Sequence, residues 1–156
     1  MEIAYLAGLF DGEGCIRIAK VNNGETFGYS LQIAVQLLYQ KTILEIYQCF
    51  GGSVSSSLMK KKGQKSYTWY CCGFKAAEIL ELMFPYLREK KEQARLALDY
   101  AETIGCGGRG RASRTETEKE LQELYCLMIR QLKVKNKLYN ELEVKEEMQE
   151  IDDDFE

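Results

Sequence analysis

The segment from Tyr29 to Leu38 constrains the fold more than any other in the chain. Its residues alternate, with Leu31, Ile33, Val35 and Leu37 on one side and Ser30, Gln32, Ala34 and Gln36 on the other. A period of two is the geometry of a pleated strand, whose successive side chains point to opposite faces. One apolar face and one polar face require a sheet covered on one side only, which is the habit of antiparallel sheets. The polar side must then meet either solvent or a partner.

The remaining elements are read around that strand. Ile3 to Phe10 is short, apolar and rich in helix formers, and runs into the Gly-flanked Asp11-Gly12-Glu13-Gly14, which reads as a turn. Cys15 to Val21 is β-rich, with Ile16 and Ile18 on one face and Arg17 on the other, and a loop follows at residues 22–25. Helical spacing of Ile43, Ile46, Tyr47 and Phe50 stops at Gly51-Gly52. Ser53 to Met59 and Ser66 to Cys72 read as a hairpin around a lysine-rich turn. Lys75 to Phe84 reads as a helix ended by Pro85, the one proline, and Arg88 to Ile104 as another. The order predicts an α+β fold, an αββαββα core with an open antiparallel sheet. Beyond the glycine-rich joint at residues 105–110, Thr115 to Asn140 predicts a long helix. Its apolar stripe is Leu121, Leu124, Tyr125, Met128, Leu132 and Leu138.

With 156 residues, the chain is long enough for one core. We therefore expect one domain: a core over 1–104, a helical extension over 105–140 and an acidic tail over 141–156. No apolar run is long enough to cross a membrane and no secretory signal opens the chain, so an intracellular, non-membrane protein is expected. The six cysteines fall in no C-x-x-C spacing and there is no histidine, so we expect reduced thiols, no structural zinc and no histidine-based chemistry. Carboxylates, lysines and bound metal remain. The formal charge of −3 is a property of the tail, whose nine acids and one base leave 20 basic and 15 acidic residues, a net of +5, in residues 1–140. The tail itself is expected to be solvated and frayed.

The first helix and its turn carry the chemistry. Ala7 and Gly8 are small enough to let a second backbone approach closely. Glu13, between two glycines, offers an exposed carboxylate suited to a hard cation such as Mg²⁺ or to plain solvation.

Residues Leu6-Ala7-Gly8-Leu9-Phe10-Asp11-Gly12-Glu13-Gly14 resemble the nine-residue motif of the LAGLIDADG homing endonucleases, with identity at Leu6, Ala7, Gly8, Leu9, Asp11 and Gly14. The succession of helices and strands resembles that family through about Ile104. The resemblance implies two copies of the helix packed about a twofold axis, with Leu6, Ala7, Gly8 and Leu9 at the interface. A single motif then implies a homodimer. It further implies that Glu13 and the main-chain oxygen of Gly12 bind a divalent metal, Mg²⁺ or Mn²⁺, and that Asp11 is structural. The segment from Phe84 to Ala94 resembles the one carrying the family's active-site lysine, which points to Lys90. A solvent-ordering polar residue falls on Tyr39 or Gln40. The family more often has aspartate where Glu13 stands.

For such an enzyme the polar sheet face would lie along the major groove of double-stranded DNA, where glutamine and arginine distinguish base edges. The candidates are Arg17, Asn23, Ser30, Gln32, Gln36, Ser55, Ser57, Thr68 and Tyr70. Lys60, Lys61, Lys62 and Lys65 suit phosphates. A homodimer implies a long, near-palindromic site cut on both strands. Two other readings compete. One is an intron-splicing maturase or DNA-binding regulator of the same fold that does not cleave, and the other is an interaction protein that assembles through its long helix.

Overall fold

A computed structural model describes the backbone of residues 1–23, 26–58, 63–104 and 115–153, and the side chains of all of these except 23, 26, 103, 104 and 136–153. The elements run in the order α1 (Ile3–Glu13), β1 (Gly14–Asn23), β2 (Thr26–Leu37), α2 (Gln40–Phe50), β3 (Ser53–Leu58), β4 (Lys65–Cys72), α3 (Phe74–Met83), a 3-10 turn (Phe84–Tyr86), α4 (Lys91–Ile104) and α5 (Glu116–Asp153). The four strands form one antiparallel sheet in the order β1-β2-β4-β3, so the α+β architecture expected above is the one observed.

The alternation in β2 sets the layering. Leu31, Ile33 and Val35 are fully buried, and register carries the same side across to Ile16 and Ile18 of β1 and to Trp69 and Cys71 of β4. Leu6, Ala7 and Phe10 of α1, Ile43 and Ile46 of α2, Ile79, Leu80 and Met83 of α3, and Ala97 and Tyr100 of α4 complete one core on that side. Two tethers fix helices to the sheet. The Trp69 indole donates to the Gly51 carbonyl at 2.6 Å at the end of α2, and the Tyr100 hydroxyl donates to the Tyr29 carbonyl at 3.0 Å. On the opposite side of the sheet, Ser30, Gln32 and Ala34 are half-buried and Gln36 is exposed.

Several elements differ from the sequence reading. α1 does not stop at Phe10 but runs through Glu13 directly into β1, so Asp11, Gly12 and Glu13 form its last turn. Gly14 makes the junction possible, because a Cβ there would sit 2.4 Å from the Phe10 carbonyl oxygen and 2.5 Å from its ring. α4 begins at Lys91, not Arg88: Leu87 is extended and residues 88–90 bend before the helix starts.

α5 packs through part of the expected stripe, with Leu121 and Tyr125 against the core, and through a neighbouring line of smaller and polar residues. Its buried residues are Gln122, Cys126 and Ile129, whereas Leu124 and Met128 are exposed, and Leu121, Tyr125 and Leu132 are only half-buried. The polar Gln122 belongs inside because its amide donates to the Tyr100 hydroxyl at 3.3 Å. The side chain of Leu138 lies outside the described residues. The α5 backbone is helical through Asp153, into the acidic segment.

Candidate active site and nucleic-acid interface

The last turn of α1 is bound to the segment that precedes α4. One Asp11 carboxylate oxygen accepts the Arg88 amide at 2.7 Å and the other accepts the Lys90 amide at 3.0 Å. The Lys90 ammonium folds back and donates to the main-chain oxygen of Asp11. Asp11 is therefore structural, satisfying two N–H groups just ahead of a helix while holding residue 90 against the end of α1. Burial pushes the Lys90 amine below its ordinary range, an effect opposed by the nearby Asp11, Cys15, Glu89 and Glu13. Glu13, the final residue of α1, is exposed, as is Gly12. A partly desolvated ammonium thus stands beside an accessible carboxylate at the foot of β1.

Register decides what the open face of the sheet contains. Arg17 pairs with Gln32, Ser30 with Ala19, Gln36 with Thr68, Ser55 with Thr68, Ser57 with Ser66 and Tyr70 with Ser53. All eight of Arg17, Ser30, Gln32, Gln36, Ser55, Ser57, Thr68 and Tyr70 stand on the side opposite the core. Two local networks order them. The Arg17 Nε donates to Gln32 Oε1 at 2.8 Å, and the Gln36 amide donates to Ser66 Oγ at 2.9 Å, which in turn lies 3.2 Å from Ser57 Oγ.

Other expected residues are placed differently. Lys65 pairs with Leu58, on the other parity, and its ammonium lies 5.5 Å from the centre of the Tyr67 ring. Asn23 ends β1 opposite Thr26, and its side chain lies outside the described residues, as do Lys60, Lys61 and Lys62 altogether. β2 ends at Leu37, so Tyr39 and Gln40 fall beyond it at the start of α2, exposed and without a side-chain hydrogen bond among the described residues. Gln36, next to the Val35 that pairs with Gly14, is the glutamine at the foot of β1.

The expected interface also needs correction. Leu6 and Ala7 are wholly buried within the chain itself, so they cannot face a second copy. Gly8 is exposed and Leu9 half-buried, and the outward side of α1 consists of Ala4, Tyr5, Gly8 and Gly12. The helix has two faces, and the nine-residue motif spans both.

Two residues escape the sequence reading. Ser66 shares the parity of Thr68 and Tyr70, and that alternation is the signal that marks it. Lys133 of α5 reaches Cys15 at 3.1 Å, and nothing in its local pattern marks it.

A family model described as LAGLIDADG endonuclease matches residues 6–106. No curated protein sequence matches the chain. Among solved structures, that of the homing endonuclease I-CvuI with the I-CreI target superposes with a TM-score of 0.62 at 21% identity, covering 83% of this chain and 80% of that one. I-LtrWI bound to target DNA gives 0.58 at 16% identity, with 80% and 43% coverage, and I-SmaMI bound to uncleavable DNA gives 0.57 at 15%, with 85% and 43%. These likenesses concern the fold, and they agree with the α+β architecture described above. No helix among the described residues is long and apolar enough to cross a membrane. With its motif at the end of α1 and a family match over most of its length, the chain belongs to the LAGLIDADG endonuclease family.

Proposed function

We propose that the chain acts as a homodimeric homing endonuclease that hydrolyses both strands of a long, near-palindromic DNA site with the help of a divalent metal, Mg²⁺ or Mn²⁺. The observation that carries this reading is the clamp between Asp11 and Lys90, which sets an ammonium beside the exposed Glu13 at the foot of an open polar sheet. The I-CvuI structures, determined on DNA targets in the presence of Mg or Ca, lend support.

The outward face of α1 supports the dimer. Gly8 and Gly12 are exposed helical residues at which a Cβ would meet nothing within 4 Å. Inside a helix each glycine costs about 1 kcal/mol relative to alanine, so the monomer gains nothing from keeping them. A second helix crossing at Ala4, Gly8 and Gly12 gives them a purpose, since small residues let backbones approach. The chain also covers less than half of I-LtrWI and I-SmaMI, leaving room in each for a second unit of this kind.

The donor set at the end of α1 bears on the metal. Among the described residues of one chain, no group of three or more His, Cys, Asp and Glu is arranged to hold an ion. Glu13 and the Gly12 carbonyl are hard oxygen donors at a helix C-terminus, where main-chain oxygens lack helical partners. Two copies would bring two such pairs together, and phosphate and water oxygens suit the rest of a Mg²⁺ shell. The donors therefore fit, provided two protomers meet. When bound, the ion supplies Lewis acidity to water and phosphate. Lys90 adds a fixed positive charge where the phosphate becomes more negative, and the Asp11 clamp spares it reorganisation.

On the sheet, Gln32 holds the Arg17 guanidinium through Nε and leaves its two terminal nitrogens to face a base edge. The test is cleavage of a randomised duplex library with and without Mg²⁺ by wild type and Glu13→Gln. The proposal expects metal-dependent cuts by wild type alone. Wild type that binds without ever cutting would turn the reading to a regulator or a splicing factor, and equal cutting by Glu13→Gln would remove the assigned metal ligand.

A further inference from the structure

The long helix α5 does more than extend the core. The Cys126 thiol donates to the Ile18 carbonyl at 3.1 Å, and seven residues on the Lys133 ammonium donates to Cys15 Sγ at 3.1 Å. Seven helical residues advance about 10 Å and three strand residues about the same, so α5 lies along β1, the edge strand, and descends toward its start. Cys15 stands on the open face of the sheet, two residues from Glu13 in sequence, and it also lies within electrostatic reach of Lys90. The Lys133 ammonium of α5 thus sits on a thiol at the foot of β1, where Lys90 is bound to the Asp11 carbonyl.

That setting leaves Lys133 under-satisfied. An ammonium carries three donors, and a thiol is a weak acceptor. Lys133 is half-buried, and among the described residues it meets no carboxylate. A half-buried cation with one weak acceptor has unspent capacity for an anion.

We propose that Lys133 is a phosphate-binding residue of the cleavage centre, holding a DNA-backbone phosphate beside Glu13 from the C-terminal helix. The inference rests on the DNA-cleavage reading and extends it to a residue outside the segment matched by the family. It also gives α5 a functional role, because the helix delivers a charge over the edge of the sheet to the face that meets DNA.

The test is the salt dependence of binding to a mixed-sequence duplex, paired with Mg²⁺-dependent cleavage of a site recovered from the library. Each phosphate contact contributes a slope of about 0.9 in log affinity against log salt. Lys133→Met keeps most of the apolar stem, and it should flatten the slope by about 0.9 per protomer and slow cleavage about tenfold. Lys133→Arg should restore the slope. Cys15→Ala removes the intramolecular acceptor and should leave the slope at its wild-type value.

Were Lys133 only an anchor for α5, Lys133→Met and Cys15→Ala would both lower the thermal midpoint and neither would change the slope, which would overturn the proposal. An unchanged slope with an unchanged midpoint would overturn it equally. Wild type with a flat salt response would instead remove the DNA reading on which it stands.

Discussion

Asp11 holds Lys90 at both ends, accepting its amide at a carboxylate oxygen 3.0 Å away and its ammonium at the main-chain oxygen. One acid thereby locks the backbone and the side chain of a residue 79 positions later. Asp11→Asn leaves a single side-chain acceptor for the amides of Arg88 and Lys90. We expect a loss of about 1–2 kcal/mol in stability, read by denaturant unfolding, and a fall in kcat exceeding any rise in KM, since Lys90 is released from its place. An unchanged kcat would show that Lys90 needs no clamp.

Lys90 also sets an expectation for pH. Burial disfavours its charged form, so its amine loses its proton below the ordinary lysine range. In the folded chain the charged lysine is therefore a cost below that lowered value, and the cost is relieved as pH rises through it. The catalysis proposed above has the opposite interest, because it would use the charged form. The alkaline limb of kcat/KM, which reports the free enzyme, should fall below the ordinary lysine range, and Lys90→Arg should carry it upward. A limb that stays in place in the arginine variant would assign it to another group.

How far these features are legible in the sequence depends on the distance over which each is encoded. The β2 alternation from Tyr29 to Leu38 is local, and through register it places eight open-face residues together without any contact being known. The bend at residues 88–90 is not local. Nothing in Arg88-Glu89-Lys90 opposes helix, and it is the Asp11 carboxylate that takes up the amides and delays α4 to Lys91. The packing face of α5 is hidden for a related reason. Counting leucines favours Leu124 and Met128, while the real face is decided by Gln122 and Cys126, polar or small residues whose partners Tyr100 and Ile18 lie far off in sequence. The motif looks like one block in the sequence, although Leu6, Ala7 and Phe10 point inward and Gly8 and Gly12 outward.

Gly8→Leu separates folding from assembly. In the chain alone the added Cβ meets nothing within 4 Å, and helix propensity improves by up to about 1 kcal/mol. At a close helix crossing it prevents approach. Under the proposed function, sedimentation should show wild type as a dimer and the variant as a folded monomer that has lost cleavage. A Gly8→Leu protein that remains dimeric would place the interface elsewhere.

Arg17 and Gln32 make a prediction about specificity. Gln32→Ala frees the guanidinium that the glutamine holds at 2.8 Å without removing a charge. The salt slope of binding should stay as in wild type, while discrimination at one base pair in each half-site should fall by about 1 kcal/mol, roughly fivefold. Binding to a panel of single-base variants of a recovered site would show it. Arg17→Ala should abolish discrimination at the same position, and a change at a different position would break the pairing of the two residues.

Gly14 and Gly12 stand two residues apart and should respond oppositely to alanine. At Gly14 the added methyl collides with the Phe10 carbonyl oxygen at 2.4 Å, and backbone cannot step aside as a flexible side chain can. Its φ of −79° is open to any residue, so the cost is purely steric. Because Gly14 is the hinge on which α1 passes into β1, relief must come from moving Phe10 out of the core or Glu13 off the foot of the strand. We expect Gly14→Ala to lose about 1–3 kcal/mol and to cut poorly even when folded. Gly12→Ala meets nothing within 4 Å in the chain itself, so unfolding of the isolated protomer should be unaffected or slightly harder, with any loss confined to dimerisation and cleavage. Equal destabilisation of the protomer by both would mean that the two glycines serve the same local fold, and the outward face of α1 would lose its claim to a partner.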